Sequence, residues 1–191
     1  MKKNVLLMLS MLLILVTACT DSKDEPVYKT LSKKQIDTAN VPVPTEVDLT
    51  ITGNIATKNS DEALLMDVAT IEQLGMVEYT LSNGDDPYNE NQTVVYQGVL
   101  MSDLLDFLGV RQDGSLLVTA SDDYQAEIPF SLIRDYPLIL ATQQNGEFIS
   151  IDNLGPLRII FPYSHYEEFG EFSKRQALTF WVWWIESIEV K

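Results

Sequence analysis

One cysteine, Cys19, is the only thiol in the 191 residues, and it stands directly behind an apolar run at the N-terminus. With a single cysteine no intrachain disulfide, CxxC redox pair, cysteine-ligated iron–sulfur cluster or c-type haem attachment can form. One histidine likewise removes multi-histidine zinc and iron sites. A chain without such staples must be held by apolar burial. At 46% hydrophobic and 21% charged residues it has an ordinary globular composition. A chain of ~150 residues buries roughly two thirds of its unfolded surface, so one domain with a real core is expected. The net charge of −15 and pI near 4.2 argue against binding nucleic acid or anionic headgroups.

The N-terminus reads as a secretory signal. Lys2 and Lys3 form a positive start, and Val5 to Val16 is apolar but for Ser10. The run falls short of the ~20 residues that span a bilayer. Val16-Thr17-Ala18-Cys19 resembles the bacterial lipobox, in which the cysteine thiol takes a diacylglyceryl group and the peptide is cut just before it. That resemblance implies residues 1–18 as a lipoprotein signal peptide and Cys19 as the lipidation site. Several acyl chains give lasting membrane anchorage where one is marginal. Loss of residues 1–18 takes away two lysines and leaves a 173-residue chain of charge −17. Thr20, in place of Asp, departs from the inner-membrane retention signal of enteric bacteria, so the outer membrane, periplasm-facing, is the expected location. Residues 19–45 read as the lipidated terminus and a tether, polar at Asp21 to Pro26 and stiffened by Pro42 and Pro44, with a short helix around Leu31 to Ile36 as an option.

Residues 46–191 form the predicted domain. Val47, Leu49 and Ile51 alternate with polar residues, as do Val77, Tyr79 and Leu81, and Val94 to Val99 is a further strand. Leu116 to Ala120, Tyr124 to Ile128, Leu138 to Gln143, Leu157 to Phe161 and Ile185 to Val190 continue the pattern. Ser102 is placed to cap a helix over Asp103 to Leu108 that Gly109 stops. Short helices are expected at Ala69 to Leu74 and Phe130 to Arg134. Strands outnumber helices without regular alternation, so the class is mixed α+β.

The order of many short pieces carries a family resemblance. Gly98-Val99-Leu100, Asp103-Leu104-Leu105, Asp123-Tyr124, Asn145-Gly146-Glu147, Gly155-Pro156-Leu157-Arg158-Ile159-Ile160, Pro162 and Trp184-Ile185 resemble the molybdopterin-binding domain of the sulfite oxidase family over nearly all of residues 46–191. The resemblance implies a single domain of sulfite oxidase-type, mixed-sheet fold. It also implies a molybdopterin cleft walled near Asn83, Asp123, Tyr124, Arg158 and His165, carried over by position. The family holds its metal through a cysteine thiolate, and matching on Asn83 puts Thr80 there. A neutral hydroxyl cannot imitate that soft, charged ligand. Glu167, Glu168 and Glu171 follow Pro162 where a phosphate would need cations.

Other constellations carry less. His165 beside Tyr163, Ser164 and Tyr166 is expected as a surface or hydrogen-bonded residue before a catalytic one, and no GxSxG accompanies Ser164 or Ser131. Asp85, Asp86, Asn89, Glu90 and Asn91 could gather around calcium but lack EF-hand spacing, and read as a solvated turn. Phe180 to Trp184 holds all three tryptophans, as core or as the wall of a ligand or partner surface. Two functions follow. One is a lipid-anchored, non-catalytic module binding a small ligand or an envelope protein, with no cofactor. The other is a periplasmic molybdopterin-dependent oxidoreductase with a non-cysteine metal environment.

Overall fold

The computed structural model describes residues 27–82, 86, 89, 92–110, 113–166 and 171–191, the side chains of 171–174 excepted. Two sheets share one core. The first runs β1 (Lys29–Thr30), β4 (Val77–Leu81), β5 (Val94–Leu100), β8 (Ile139–Gln144) and β10 (Arg158–Ile160), with β9 (Glu147–Phe148) hairpinned onto β8. All its pairings are antiparallel. The second runs β3 (Leu64–Met66), β2 (Leu49–Gly53), β11 (Ile185–Val190), β6 (Ser115–Ala120) and β7 (Gln125–Pro129). Here β2 and β11 are parallel and the rest antiparallel, which makes the architecture the expected mixed α+β fold.

The strands follow from side-chain period. In β6 Leu116, Val118 and Ala120 are buried, and opposite them in β7 Ala126 and Ile128 are buried. Ile185 and Ile188 in β11 are three apart yet both inward, because the ladder to β6 slips between Ile185 and Ser187. Ile139 to Thr142 of β8 are all buried, as a central strand covered on both faces requires. Asn145 and Gly146, both at positive φ, close the two-residue turn between β8 and β9.

Among the described residues four α-helices accompany the sheets: α1 (Val68–Glu72), α2 (Met101–Leu108), α3 (Phe130–Asp135) and α4 (Glu171–Leu178). In α2 Leu104, Leu105 and Leu108 face the core while Asp103 and Asp106 face out, and Gly109 ends it in the left-handed region. Ser102 does not cap it. The helix starts straight from β5, so Leu100 holds the cap position and gives no side-chain bond.

Two further expectations change. Residues 27–45 are not a free tether: β1 pairs with the edge of β4, Ile36 is buried in the core, and Val27, Tyr28 and Val41 pack against it. The 31–36 stretch is an extended strap instead of a helix. Its backbone N–H groups at Leu31 and Ser32 donate to Met76 O, and Gln35 N–H donates to Gln73 O, so the strap spends its donors on the domain. Gly75 allows that approach. It sits at φ +110°, and a Cβ there would lie 3.2 Å from Lys34 N. Residues 1–26 lie outside the described residues.

Phe180 to Trp184 is not a strand with two alternating faces. Only Val182 makes a bridge, to Ile159 of β10. Trp181 is core, with its indole N–H donating to Phe161 O at 2.9 Å. Trp184 is half-buried and works as a clasp. Its indole N–H donates to Ile151 O, its backbone N–H to Leu154 O, and its carbonyl accepts from Ser121 N–H.

Candidate functional site

Arg158 opens the strand β10 and is 3% exposed. The sheet register explains how so long a side chain fits. Arg158 pairs across β8 with Ala141, and Ala141 pairs with Gly98 of β5, so the row beside the guanidinium holds one methyl group and one hydrogen. Tyr96, two residues before Gly98, shares that face. Arg158 Nη1 donates to the Tyr96 hydroxyl at 2.9 Å, and its Cζ stands 5.8 Å from the ring centroid. Nη2 donates to Asn153 O, while the buried Nε has no partner among the described residues.

The relay continues to a buried carboxylate. Tyr96 donates its hydroxyl proton to Asp86 Oδ2 at 2.6 Å, and Asp86 is 1% exposed. Asn89 closes around the same group, donating from its amide to Oδ2 at 2.9 Å and from its backbone to Oδ1 at 3.2 Å. Asp86 is therefore not part of a solvated turn, as the hydrophilic stretch around it suggested. It is the buried counter-charge of Arg158, joined to it through a phenol. Removing either charge alone would leave the other uncompensated in low dielectric.

Burial, then the hydrogen bond to Asp86, pushes the Tyr96 hydroxyl above its ordinary range, against the pull of Arg158. Tyr79, its neighbour across β4 and β5, is raised chiefly by burial as well. Both phenols stay protonated in the fold. Neither phenol therefore offers an acid or base near neutral pH. The unfolded chain releases such protons near pH ~10, so stability is unaffected below that and falls as pH rises through it. Urea midpoints measured across this range are expected to drop, and Tyr96→Phe should reduce the slope by about 1.4 kcal/mol per pH unit, the share of one tyrosine. An unchanged slope would show that Tyr96 does not carry the alkaline loss.

The other residues expected at a cleft lie elsewhere. Asp123, at φ +68°, and Tyr124 form the β6–β7 turn of the second sheet, both exposed. Tyr124, 42% exposed, donates its hydroxyl to Thr179 O at 3.1 Å, beyond α4. His165 is exposed in a short 3-10 turn, Tyr163–His165, behind β10. Trp184 joins the Asp123 turn to the Ile151–Leu154 turn that receives Arg158, so these two elements meet through the clasp. Asn83 and Glu167 to Gly170 lie outside the described residues. Thr80, on β4, is exposed and pairs with Val95. Among the described residues no cluster of three or more His, Cys, Asp or Glu is placed to hold a metal.

Sequence reasoning missed Tyr96 and Asp86 as partners of Arg158. The one available signal was a small-residue row, Gly98 and Ala141, opposite an arginine inside a hydrophobic strand.

No curated protein matches the chain. Among solved structures it is similar to the sulfane dehydrogenase SoxCD from Paracoccus pantotrophus, at 17% identity and a TM-score of 0.51, over 74% of this chain and 37% of that one. The chain thus spans well under half of that protein, and the likeness concerns the fold. The model of the oxidoreductase molybdopterin binding domain matches residues 40–166, more than half the chain. With the two-sheet fold and that match together, the chain belongs to the oxidoreductase molybdopterin-binding domain family.

Proposed function

We propose that this is a lipid-anchored envelope protein whose molybdopterin-type domain is a non-catalytic binding module for a small ligand or an envelope partner. The observation that carries the reading is the whereabouts of the thiol. The chain's one cysteine is Cys19, at the proposed acylation site, while the position matched to the metal-ligating cysteine is the hydroxyl residue Thr80. A neutral hydroxyl on an exposed strand position does not fit the high-valent metal that a thiolate holds. Arg158, expected at the cleft wall, does not fit either, because its Nη1 and Nη2 donate inside the domain and its charge is met by Asp86 through Tyr96. Molybdopterin is thus supported as the family's cofactor and not by this donor set.

No helix among the described residues is long and apolar enough to cross a membrane, and the proposed anchorage is through Cys19. Attachment to the outer membrane, facing the periplasm, is part of the proposal. The competing reading, a molybdopterin-dependent oxidoreductase with oxygen or water in place of sulfur, draws on the unpartnered Nε of Arg158.

Metabolic labelling with a radioactive fatty acid and metal analysis of the protein from a molybdenum-replete host test both parts. Labelling and membrane fractionation are expected for the native chain and absent in Cys19→Ser, and the purified protein should be colourless and free of molybdenum. A Cys19→Ser variant that still pellets with membranes ends the anchor proposal. Stoichiometric molybdenum ends the non-catalytic one.

A further inference from the structure

The strap formed by residues 27–36 crosses the domain without filling the space beneath it. A cavity of about 500 Å³ remains between the strap, the α1–β4 turn and α2. Its apolar wall is Leu74, Val77 and Leu100, with Tyr28 over one side. Tyr28 is fixed there by an edge-on contact with Tyr79, ring centroids 6.2 Å apart. None of Asp86, Tyr96 and Arg158 lines this space.

Four charged side chains border the cavity, two of each sign. Lys33 and Lys34 come from the strap and Asp103 and Asp106 from the outward face of α2. None of the four is in an ion pair among the described residues, where Lys29 to Glu78 is the pair formed. Lys34 stands over the Phe107 ring, its Nζ 4.9 Å from the centroid, which holds the ammonium group on the α2 side. Loss of water, then the like charge of Asp106, raises the Asp103 carboxyl above its ordinary range, with Lys34 pulling it down. The shift reflects first the partial loss of water around Asp103, and the two carboxylates of α2 face the same space as Lys33 and Lys34.

Size and charge together select a ligand. The volume lies within the ~300–1,000 Å³ of small-molecule sites. A simple anion would meet Asp103 and Asp106, and a simple cation would meet Lys33 and Lys34. A purely apolar body would leave all four charges facing it. A molecule with one positive group, one negative group and a hydrocarbon portion satisfies every wall at once. We propose that this cavity binds an amino-acid zwitterion with an apolar side chain, either free or as a short peptide with free termini. None of Asp123, Tyr124, Arg158 and His165, the described positions carried over from the family, lines this space, and the strap supplies one of its walls.

The test is titration of the full-length, detergent-purified protein with leucine and with leucyl-leucine, followed by methyl NMR and calorimetry. Saturable binding on the order of millimolar or tighter is expected, with shifts at Leu74, Val77 and Leu100. Leucine binding as well as the dipeptide would assign the free amino acid, and dipeptide preference the peptide. N-acetyl-leucine amide, which carries neither charge, should bind about fivefold more weakly or worse. The paired variants Asp103→Asn/Asp106→Asn and Lys33→Gln/Lys34→Gln should each weaken the zwitterion to a similar degree with unchanged circular dichroism, since all four side chains are exposed. Equal binding of the blocked compound would overturn the proposal, as would shifts confined to other residues or no saturation by about 10 mM. Each of these outcomes leaves the metal and acylation results standing, so the two proposals fail separately.

Discussion

Asp86→Asn is expected to destabilise the domain by about 3–5 kcal/mol, the scale for breaking a buried charge pair from one side. Arg158 is buried, and among the described residues its guanidinium is linked to an opposite charge, Asp86, through the Tyr96 hydroxyl. An amide at position 86 could still accept from Tyr96 through its one oxygen, so what is lost is the charge together with the Asn89 backbone bond to Oδ1. Urea unfolding curves read the loss directly. The replacement Asp86→Leu/Tyr96→Phe/Arg158→Met removes both charges and should recover most of it, because apolar packing of similar volume is often neutral or better than a buried ion pair. A loss below about 1 kcal/mol for Asp86→Asn would mean that Asp86 does not compensate Arg158. A triple variant as unstable as the single one would mean that the relay is held by shape and not by charge.

Much of the fold was legible because strands with one buried face write their period into the sequence. β4, β6, β7 and β11 lie within a residue of their expected spans, while β2 starts at Leu49, two residues after the expected Val47. What escaped notice was short or edge-located. β3 and β9 have three and two residues, too few for any period to appear, and β1 is two residues long in a stretch that reads as polar linker. The strap hides for the same reason. Its attachment is made largely by backbone donors to Met76 and Gln73, which no side-chain pattern reports, and its apolar residues Val27, Tyr28 and Ile36 follow no period.

The candidate site was legible in part. The family resemblance placed Arg158, within Leu157-Arg158-Ile159-Ile160, at the cleft, and it is a buried group whose Nη1 and Nη2 donate inside the domain while Nε has no partner among the described residues. Its partners could not be read from spacing, because Tyr96 lies 62 residues away in sequence and Asp86 sits in a stretch of acids, amides and a glycine that composition assigns to solvent. The family resemblance located Asp123, Tyr124 and His165 by position. It could not say that Tyr124 reaches toward Thr179 or that the element joining the Asp123 turn to the Arg158 turn is Trp184. Hydrogen bonds made by backbone carbonyls decide these contacts, and they depend on tertiary placement alone.

The substitution Gly98→Ala is expected to be the most damaging single methyl that can be added to the first sheet. Gly98 lies mid-strand in β5, and a Cβ there would stand 2.2 Å from Leu140 O and 2.6 Å from Ala141 Cα, both backbone atoms of β8. A flexible side chain could swing away, but a strand paired on both sides cannot, so β8 must move or the β5–β8 ladder must open. The ladder is already irregular between Gln97 and Gly98, which brings the two backbones together at this point. The same row carries Arg158 over Ala141, so displacing β8 also pulls the guanidinium from Tyr96. The combined cost should exceed about 4 kcal/mol, beyond the ordinary range for one substitution. Gly146→Ala is the matched control, since a Cβ at Gly146 meets nothing within 4 Å and its cost is confined to the strained φ of +82°. Urea midpoints and amide exchange of β5 and β8 measure both. If Gly98→Ala unfolds no more readily than Gly146→Ala, the close approach of β5 and β8 is not what holds the sheet around Arg158.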